Sequence, residues 1–222
     1  MKIVIANTNP IHEELESKLS KEYNDLLIIN HKHDLNIKVL EEINPDYIFF
    51  PHWSFIIPSA IYERYNCVVF HMTDLPYGRG GSPLQNLIVK GHQKTMISAL
   101  RVVKDIDAGP VYLKKELSLL GTAEEIFMRA GKIIFSMILD IIKYNLKPKS
   151  QIGEVVPFKR RTPQQSNISK LESLEEVFDF IRMLDAENYP NAFLETQHLR
   201  FEFSRASLKK DKIIADVRII EK

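Results

Sequence analysis

His71 closes the apolar run CVVF and opens the stretch HMTDLPYGRGGSP, residues 71–83. An imidazole there can donate, accept or pass on a proton near neutral pH, because its ordinary pKa lies close to 6.5. Asp107 stands in DIDAGP, a tight acidic turn between two apolar runs. A carboxylate brought against the imidazole would orient it and favour its charged form. Gly109, just past the acid, lets the backbone come close to a ligand. Taken alone, a histidine at a strand end is commonly a hydrogen-bonded structural residue, so a chemical role depends on what folds Asp107 back to it.

Other chemistries find less support. Cys67 is the only cysteine, which excludes an internal disulfide and a cysteine-based zinc site, and its apolar neighbours make it a packing residue. His31 and His33 are two apart with no further ligand nearby in sequence, so no metal site is expected. ANTNP, after the first apolar run, lacks the G-x-G-x-x-G dinucleotide fingerprint, although Asn7 and Asn9 could reach a substrate there. A G-x-S-x-G nucleophile elbow is absent too.

The elements that must position these residues follow from periodicity. KIVIAN, DLLIIN, DYIFFP and CVVFH are short apolar runs separated by HEELESKLSKEY, NIKVLEEINP and SAIYERY, which carry helical spacing. Strands apolar on both sides that alternate with amphipathic helices predict an α/β fold, a Rossmann-like domain with a mostly parallel sheet. Such sheets bind ligands at the carboxyl ends of their strands, where His71 falls. ISALRVV and GPVYLKKELSL read as antiparallel strands, and a capping box at Thr122 and Glu125 opens a long helix with an apolar stripe of Ile126, Ile133, Ile134, Met137, Ile138 and Ile141. LKPKSQIGEVVPFKRRTPQQSNI, with three prolines, reads as a linker whose KRR is a solvated patch rather than a pyrophosphate site. A helix opened by Ser173 and alternating segments after it predict a small C-terminal α+β unit. The expected division is 1–154 for the main domain and 155–222 for this helix and β-hairpin unit.

The 222 residues include 30 basic and 29 acidic ones, a net charge of +1. No broad field is available to hold a polyanion by counterion release, which disfavours a nucleic-acid partner. No run reaches the ~20 apolar residues that cross a bilayer, and the N-terminus carries no signal-peptide pattern, so no membrane insertion and a cytoplasmic location are expected.

The ordered set of strand, HMTDLPYGRGGSP, apolar strand and DIDAGPV resembles the formyltransferase family that uses 10-formyltetrahydrofolate. That family includes the purine, methionyl-tRNA and sugar N-formyltransferases. His71, Leu75, Pro76, Arg79, Gly80, Pro83, Asp107, Gly109 and Pro110 carry the resemblance, which spans roughly residues 1–145. The stretch is also similar to the formylation domain of linear gramicidin synthetase, and RMLDAENYPNAF resembles the start of the C-terminal unit in sugar formyltransferases. The resemblance implies 10-formyltetrahydrofolate as formyl donor and His71 and Asp107 as the catalytic pair. It implies that Trp53, Ser54, Phe55, Ile56 and Ile57, with Lys104, Asp105 and Ile106, clasp the folate through main-chain bonds between apolar walls; the plain alternative is that Phe55, Ile56 and Ile57 are core. Arg79 would hold a substrate phosphate or brace its loop, and Tyr77 would face substrate.

One position departs from the family pattern. Its asparagine falls on Val69, which cannot donate a hydrogen bond to an oxyanion, a loss that can cost roughly 3 kcal/mol in a working site. His52, Ser54 and Thr73 are the side chains considered as replacements, against His71, backbone amides and water sufficing. The expected function is formyl transfer to the amine of a nucleotide-linked amino sugar of the 4-amino-4,6-dideoxy type. The tRNA branch is set aside on the near-neutral charge and the short C-terminal part. Two alternatives are a catalytically weak folate- and nucleotide-binding module and a formyltransferase acting on an aminoacyl group. The edge of RFEFSRASLKKDKIIADVRII could pair two chains into a homodimer.

Overall fold

The computed structural model describes residues 1–222. The chain divides into two compact units, one of residues 1–80, 95–117 and 127–157, the other of 81–94, 118–126 and 158–222.

The first unit is built on strands β1 (Ile3–Asn7), β2 (Leu26–Ile29), β3 (Tyr47–His52) and β4 (Cys67–His71), separated by helices α1 (Glu13–Glu22), α2 (Ile37–Ile43) and α3 (Ser59–Tyr62). These strands run parallel in the spatial order β2-β1-β3-β4. All five residues of β1 are buried, which is why its sequence does not alternate. A parallel pair needs a crossover, and α2 supplies one, opened by Asn36, whose side chain accepts from the Val39 amide, and closed by Asn44 in the left-handed conformation.

Beyond a short strand β5 (Tyr77–Gly80) and helix α4 (Pro83–Val89), β6 (Lys94–Arg101) joins the sheet antiparallel to β4, with His71 opposite Ser98 and Val68 opposite Arg101. Strand β7 (Val111–Ser118) completes the six. The sheet is therefore mostly parallel with antiparallel character where ISALRVV was read. Helix α5 (Ala123–Lys143) buries Ile126, Ile134, Met137, Ile138 and Ile141, with Ile133 half-buried at the margin of that stripe. Its capping box forms, Thr122 N–H donating to Glu125 Oε2 at 2.8 Å and the Glu125 amide to Thr122 Oγ1 at 3.2 Å.

The segment read as a linker is ordered. It holds β8 (Val156–Phe158), which pairs with β5, and a short 3-10 turn over Pro163–Ser166 capped reciprocally by Thr162 and Gln165. Proline content alone does not make a segment irregular: Pro163 opens the 3-10 turn at a position whose N–H would have no partner.

The second unit packs α4 and α6 (Leu174–Arg182) with an antiparallel sheet of β9 (Ala192–Glu195), β10 (Leu199–Leu208) and β11 (Ile213–Glu221) in the order β11-β10-β9. Ser173 and Glu176 cap α6 as a capping box. Gln85 Nε2 donates to Met183 O at 3.2 Å, and buried Arg182 donates to the carbonyls of Leu119 and Gly121 at 2.6 and 3.0 Å. These bonds satisfy polar groups that burial would otherwise penalise. No helix is long and apolar enough to cross a membrane.

Candidate functional site

Strand β4 ends at His71, which is 8% exposed. Its Nε2 lies 2.8 Å from the carbonyl oxygen of Gly78. A carbonyl only accepts, so Nε2 carries the proton and Nδ1 faces elsewhere. What it faces is Asp107, whose Oδ2 lies 3.5 Å from Nδ1. The two residues that the family resemblance singled out thus converge, both largely buried.

Three devices bring them together. The loop after His71 turns through a cis Leu75–Pro76 peptide and is pinned by Lys114 Nζ, which donates to Asp74 Oδ1 and Leu75 O, both at 2.5 Å. That fold returns Gly78 O to the imidazole. Asp107 itself adopts φ 53°, a left-handed conformation uncommon for a side chain other than Gly, Asn or Asp. Its Oδ2 accepts from the Gly80 amide at 2.9 Å, tying the acidic turn to the arginine loop. Gly109 is needed for a reason different from the one the sequence offers: a Cβ there would fall 1.7 Å from the carbonyl oxygen of Arg101, so the close approach is to the protein's own backbone.

The remaining sequence-singled residues scatter around this pair. Thr73 is fully buried, and its hydroxyl donates weakly, at 3.5 Å, to Gly78 O, the acceptor His71 already uses. Arg79 is half-buried, and its Nε and Nη2 donate to Gln151 Oε1 at 3.1 and 2.7 Å, so the guanidinium braces its loop. Tyr77 is half-buried at the head of β5. Val69 lies two residues before His71 on β4, hence on the same face, and packs on the apolar cluster that includes Phe50, Ile57, Trp53 and Val102.

His52 goes elsewhere. A register shift between β1 and β3 precedes it, and its ring stands 5.7 Å from that of His12 and 5.4 Å from that of Phe127. Burial pushes its pKa down to about 4 and that of His12, which also feels His52, to about 3. Asn9 caps the turn Pro10–His12 by accepting from the Ile11 amide at 3.1 Å. Asn7 is buried and donates to Glu16 Oε1 at 2.6 Å, while desolvation holds the Glu16 carboxyl above its usual range. Burial likewise pushes the Cys67 thiol up to about 12, which suits packing rather than attack.

For a formyl-bearing pterin the chain offers an apolar surface. Phe55, Ile56 and Ile106 are large apolar side chains left exposed at 42%, 76% and 63%, and the buried Trp53 Nε1 has no hydrogen-bond partner. Ser54, Lys104 and Asp105 are exposed beside them in sequence, whereas Ile57 belongs to the core. Exposed hydrophobics of this kind fit the face of a flat heterocycle.

Comparison with known proteins gives the class. A formyl transferase model matches residues 13–130, and a model described as the methionyl-tRNA formyltransferase C-terminal domain matches 163–220. The chain belongs to the formyl transferase family. A methionyl-tRNA formyltransferase structure from Clostridium thermocellum superposes with TM-score 0.98 at 53% identity, covering 100% of both chains. The methionyl-tRNA formyltransferase of Rickettsia felis is 26% identical over 201 residues, which is 82% of this chain and 66% of that protein. The chain spans less than two thirds of the length of the curated relatives it matches, down to 46% for that of Rickettsia prowazekii. HypX from Aquifex aeolicus in complex with tetrahydrofolic acid matches with TM-score 0.79 at 17% identity, over 95% of this chain and 38% of that one. A sugar N-formyltransferase from Shewanella matches at TM-score 0.65 and 16% identity, over 89% and 93%.

These findings correct two expectations. The nucleotide-linked amino sugar is overturned as acceptor, since the sugar enzymes share the fold alone while the 53%-identical relative is a methionyl-tRNA formyltransferase. The motif around His71 marks the family and says nothing about which amine arrives, so it could not make that choice. The exclusion of nucleic acid also falls, as does the argument from a short C-terminal part, because residues 163–220 match the C-terminal domain of the tRNA enzyme. Net charge sums over the whole surface, whereas phosphates are held locally. Lys159 and Arg160 are exposed beside half-buried Arg161 in the second unit, a concentration that a total of +1 conceals.

Proposed function

We propose that this chain transfers the formyl group of 10-formyltetrahydrofolate to the amine of an aminoacyl group carried by tRNA, with methionyl-tRNA as the acceptor and the cytoplasm as the place. The observation that carries this reading is the relative at 53% identity, matched over 100% of both chains, that bears that name. The partners are therefore a folate and a tRNA.

The formyl donor supplies an electrophilic carbon. The neutral amine adds to it, leaving negative charge on oxygen and a proton to be removed from nitrogen. His71 Nδ1 takes that proton, because Nε2–H is engaged by Gly78 O, and Asp107 stabilises the imidazolium so formed. As the carbon–N10 bond breaks, the proton passes to the departing tetrahydrofolate nitrogen, and the balance closes on one formamide and one tetrahydrofolate. An α-amino group has an ordinary pKa near 7.7–8.0, so an appreciable neutral fraction exists at neutral pH and one histidine suffices as base.

Trp53, Ser54, Phe55, Ile56 and Ile57, with Lys104, Asp105 and Ile106, are the folate contacts in this reading. In this reading Ser54, or His71 with backbone amides and water, supplies the oxyanion contact in place of the family asparagine. The Thr73 hydroxyl reaches Gly78 O only weakly, and the His52 ring stands against those of His12 and Phe127. Arg79 and Tyr77 line the acceptor side.

The test is direct. Purified protein is incubated with 10-formyltetrahydrofolate and either methionyl-tRNA or a panel of nucleotide-linked amino sugars, and tetrahydrofolate release is followed. Formylation of methionyl-tRNA, lost in His71→Ala, supports the reading. Turnover with a sugar alone, or none with any amine, overturns it.

A further inference from the structure

Gln151 lies outside both stretches matched by the family models, 13–130 and 163–220, and in the segment that reads as linker. Its amide nevertheless makes four hydrogen bonds across the site. Nε2 donates to Asp107 O and Gly109 O, both at 2.8 Å. Oε1 accepts from Arg79 Nε and Nη2 at 3.1 and 2.7 Å.

We infer that Gln151 is a positioning residue for the reaction, fastening the Asp107 turn to the Arg79 loop so that the Asp107 carboxylate stays against His71. The inference rests on the reading of His71 and Asp107 as the proton-handling pair. The carbonyls it holds are those of the left-handed residue itself and of Gly109 two places on, so one amide group fixes the turn where the chain leaves Asp107. With two lone pairs on one oxygen and two hydrogens on one nitrogen, all four bonding positions of the side-chain amide are used. No other neutral or charged side chain of that length offers two donors and two acceptors. Glutamate would keep the arm to Arg79 but turn its second oxygen on two carbonyls. Lysine would keep the carbonyl arm and oppose Arg79. Leucine would keep the volume and lose both arms.

A consequence reaches Arg79. With Nε and Nη2 spent on Gln151, only Nη1 and the outer hydrogen of Nη2 remain for an incoming anion. Gln151 thereby limits the arginine to a single-edge contact with substrate.

Two measurements test this. The first needs no substrate. The Gly80 amide donates to Asp107 Oδ2 at 2.9 Å, so its hydrogen exchange reports where the carboxylate sits. Gln151→Glu and Gln151→Leu should raise exchange at Gly80 by at least tenfold while amides of β1 keep wild-type protection. Unchanged protection at Gly80 in both variants overturns the inference. The second is kinetic: either substitution should lower kcat by about 10- to 100-fold, the scale of an ångström's misplacement, with a smaller change in KM for the formyl donor. In an Asp107→Asn background the same substitution should cost under threefold, because its effect runs through that carboxylate. Full multiplication of the two losses overturns the inference. If the wild-type protein formylates nothing, the proposed function fails, while exchange at Gly80 still decides the role of Gln151.

Discussion

Replacing Gly109 by alanine is the sharpest perturbation the acidic turn allows. A Cβ at this position would sit 1.7 Å from the Arg101 carbonyl oxygen and 2.9 Å from its carbon. Ordinary contact is about 3.4 Å, so one strand of backbone must retreat by more than an ångström. The Arg101 carbonyl belongs to β6, anchored to β4, and its amide accepts no freedom either, donating to Pro110 O at 2.9 Å. The turn is the side that yields. Its displacement carries Asp107 away from His71 Nδ1, now 3.5 Å off, and breaks the 2.9 Å bond to the Gly80 amide. Overpacking of this kind costs about 1–3 kcal/mol of stability, and an ångström of misplacement costs on the order of 100-fold in kcat. Urea unfolding and steady-state formyl transfer on the same preparation measure both. A Gly109→Ala protein with wild-type midpoint and wild-type kcat would refute the claim that this turn places the carboxylate.

Other consequences are as accessible. Gly131→Ala would set a Cβ 2.7 Å from His12 Nδ1 on the far side of a buried contact, and a loss of about 1–3 kcal/mol is expected in urea unfolding. His12 and His52 are neutral when folded, with pKa values near 3 and 4 against 6.5 unfolded, so the unfolded chain binds more protons between those limits. Stability therefore falls as pH drops below about 6.5, by roughly 3 kcal/mol from each residue at pH 4, and His52→Phe should flatten the curve measured by thermal unfolding at stepped pH. Ser173→Ala removes the hydroxyl that caps the Glu176 amide at 3.1 Å and should cost about 1 kcal/mol, read by denaturant unfolding.

Much of this was legible in the residues. Apolar runs without alternation gave a buried, mostly parallel sheet, since only a strand covered on both faces tolerates them. His71 and Asp107 stood out together through the resemblance to the family motif, and the fold brings them to 3.5 Å. Hidden from the sequence were features made by contacts distant along the chain. Gln151 carries no signal in SQIG and acquires its place only through bonds to residues 44 and 72 positions earlier. His52 departs from its expected side because a register irregularity between β1 and β3 precedes it, and such shifts leave no compositional mark. The acceptor was misread for a simpler reason: the motif that marks the family carries no information about the body attached to the amine.

The left-handed backbone at residue 107 has one more bearing. Among residues that carry a side chain, aspartate and asparagine take that conformation most readily. The acid can therefore be exchanged for its amide with the loop intact. A lineage could abandon the chemistry yet keep the scaffold through a single exchange of oxygen for nitrogen, and silent members of such a lineage would be recognisable by that amide.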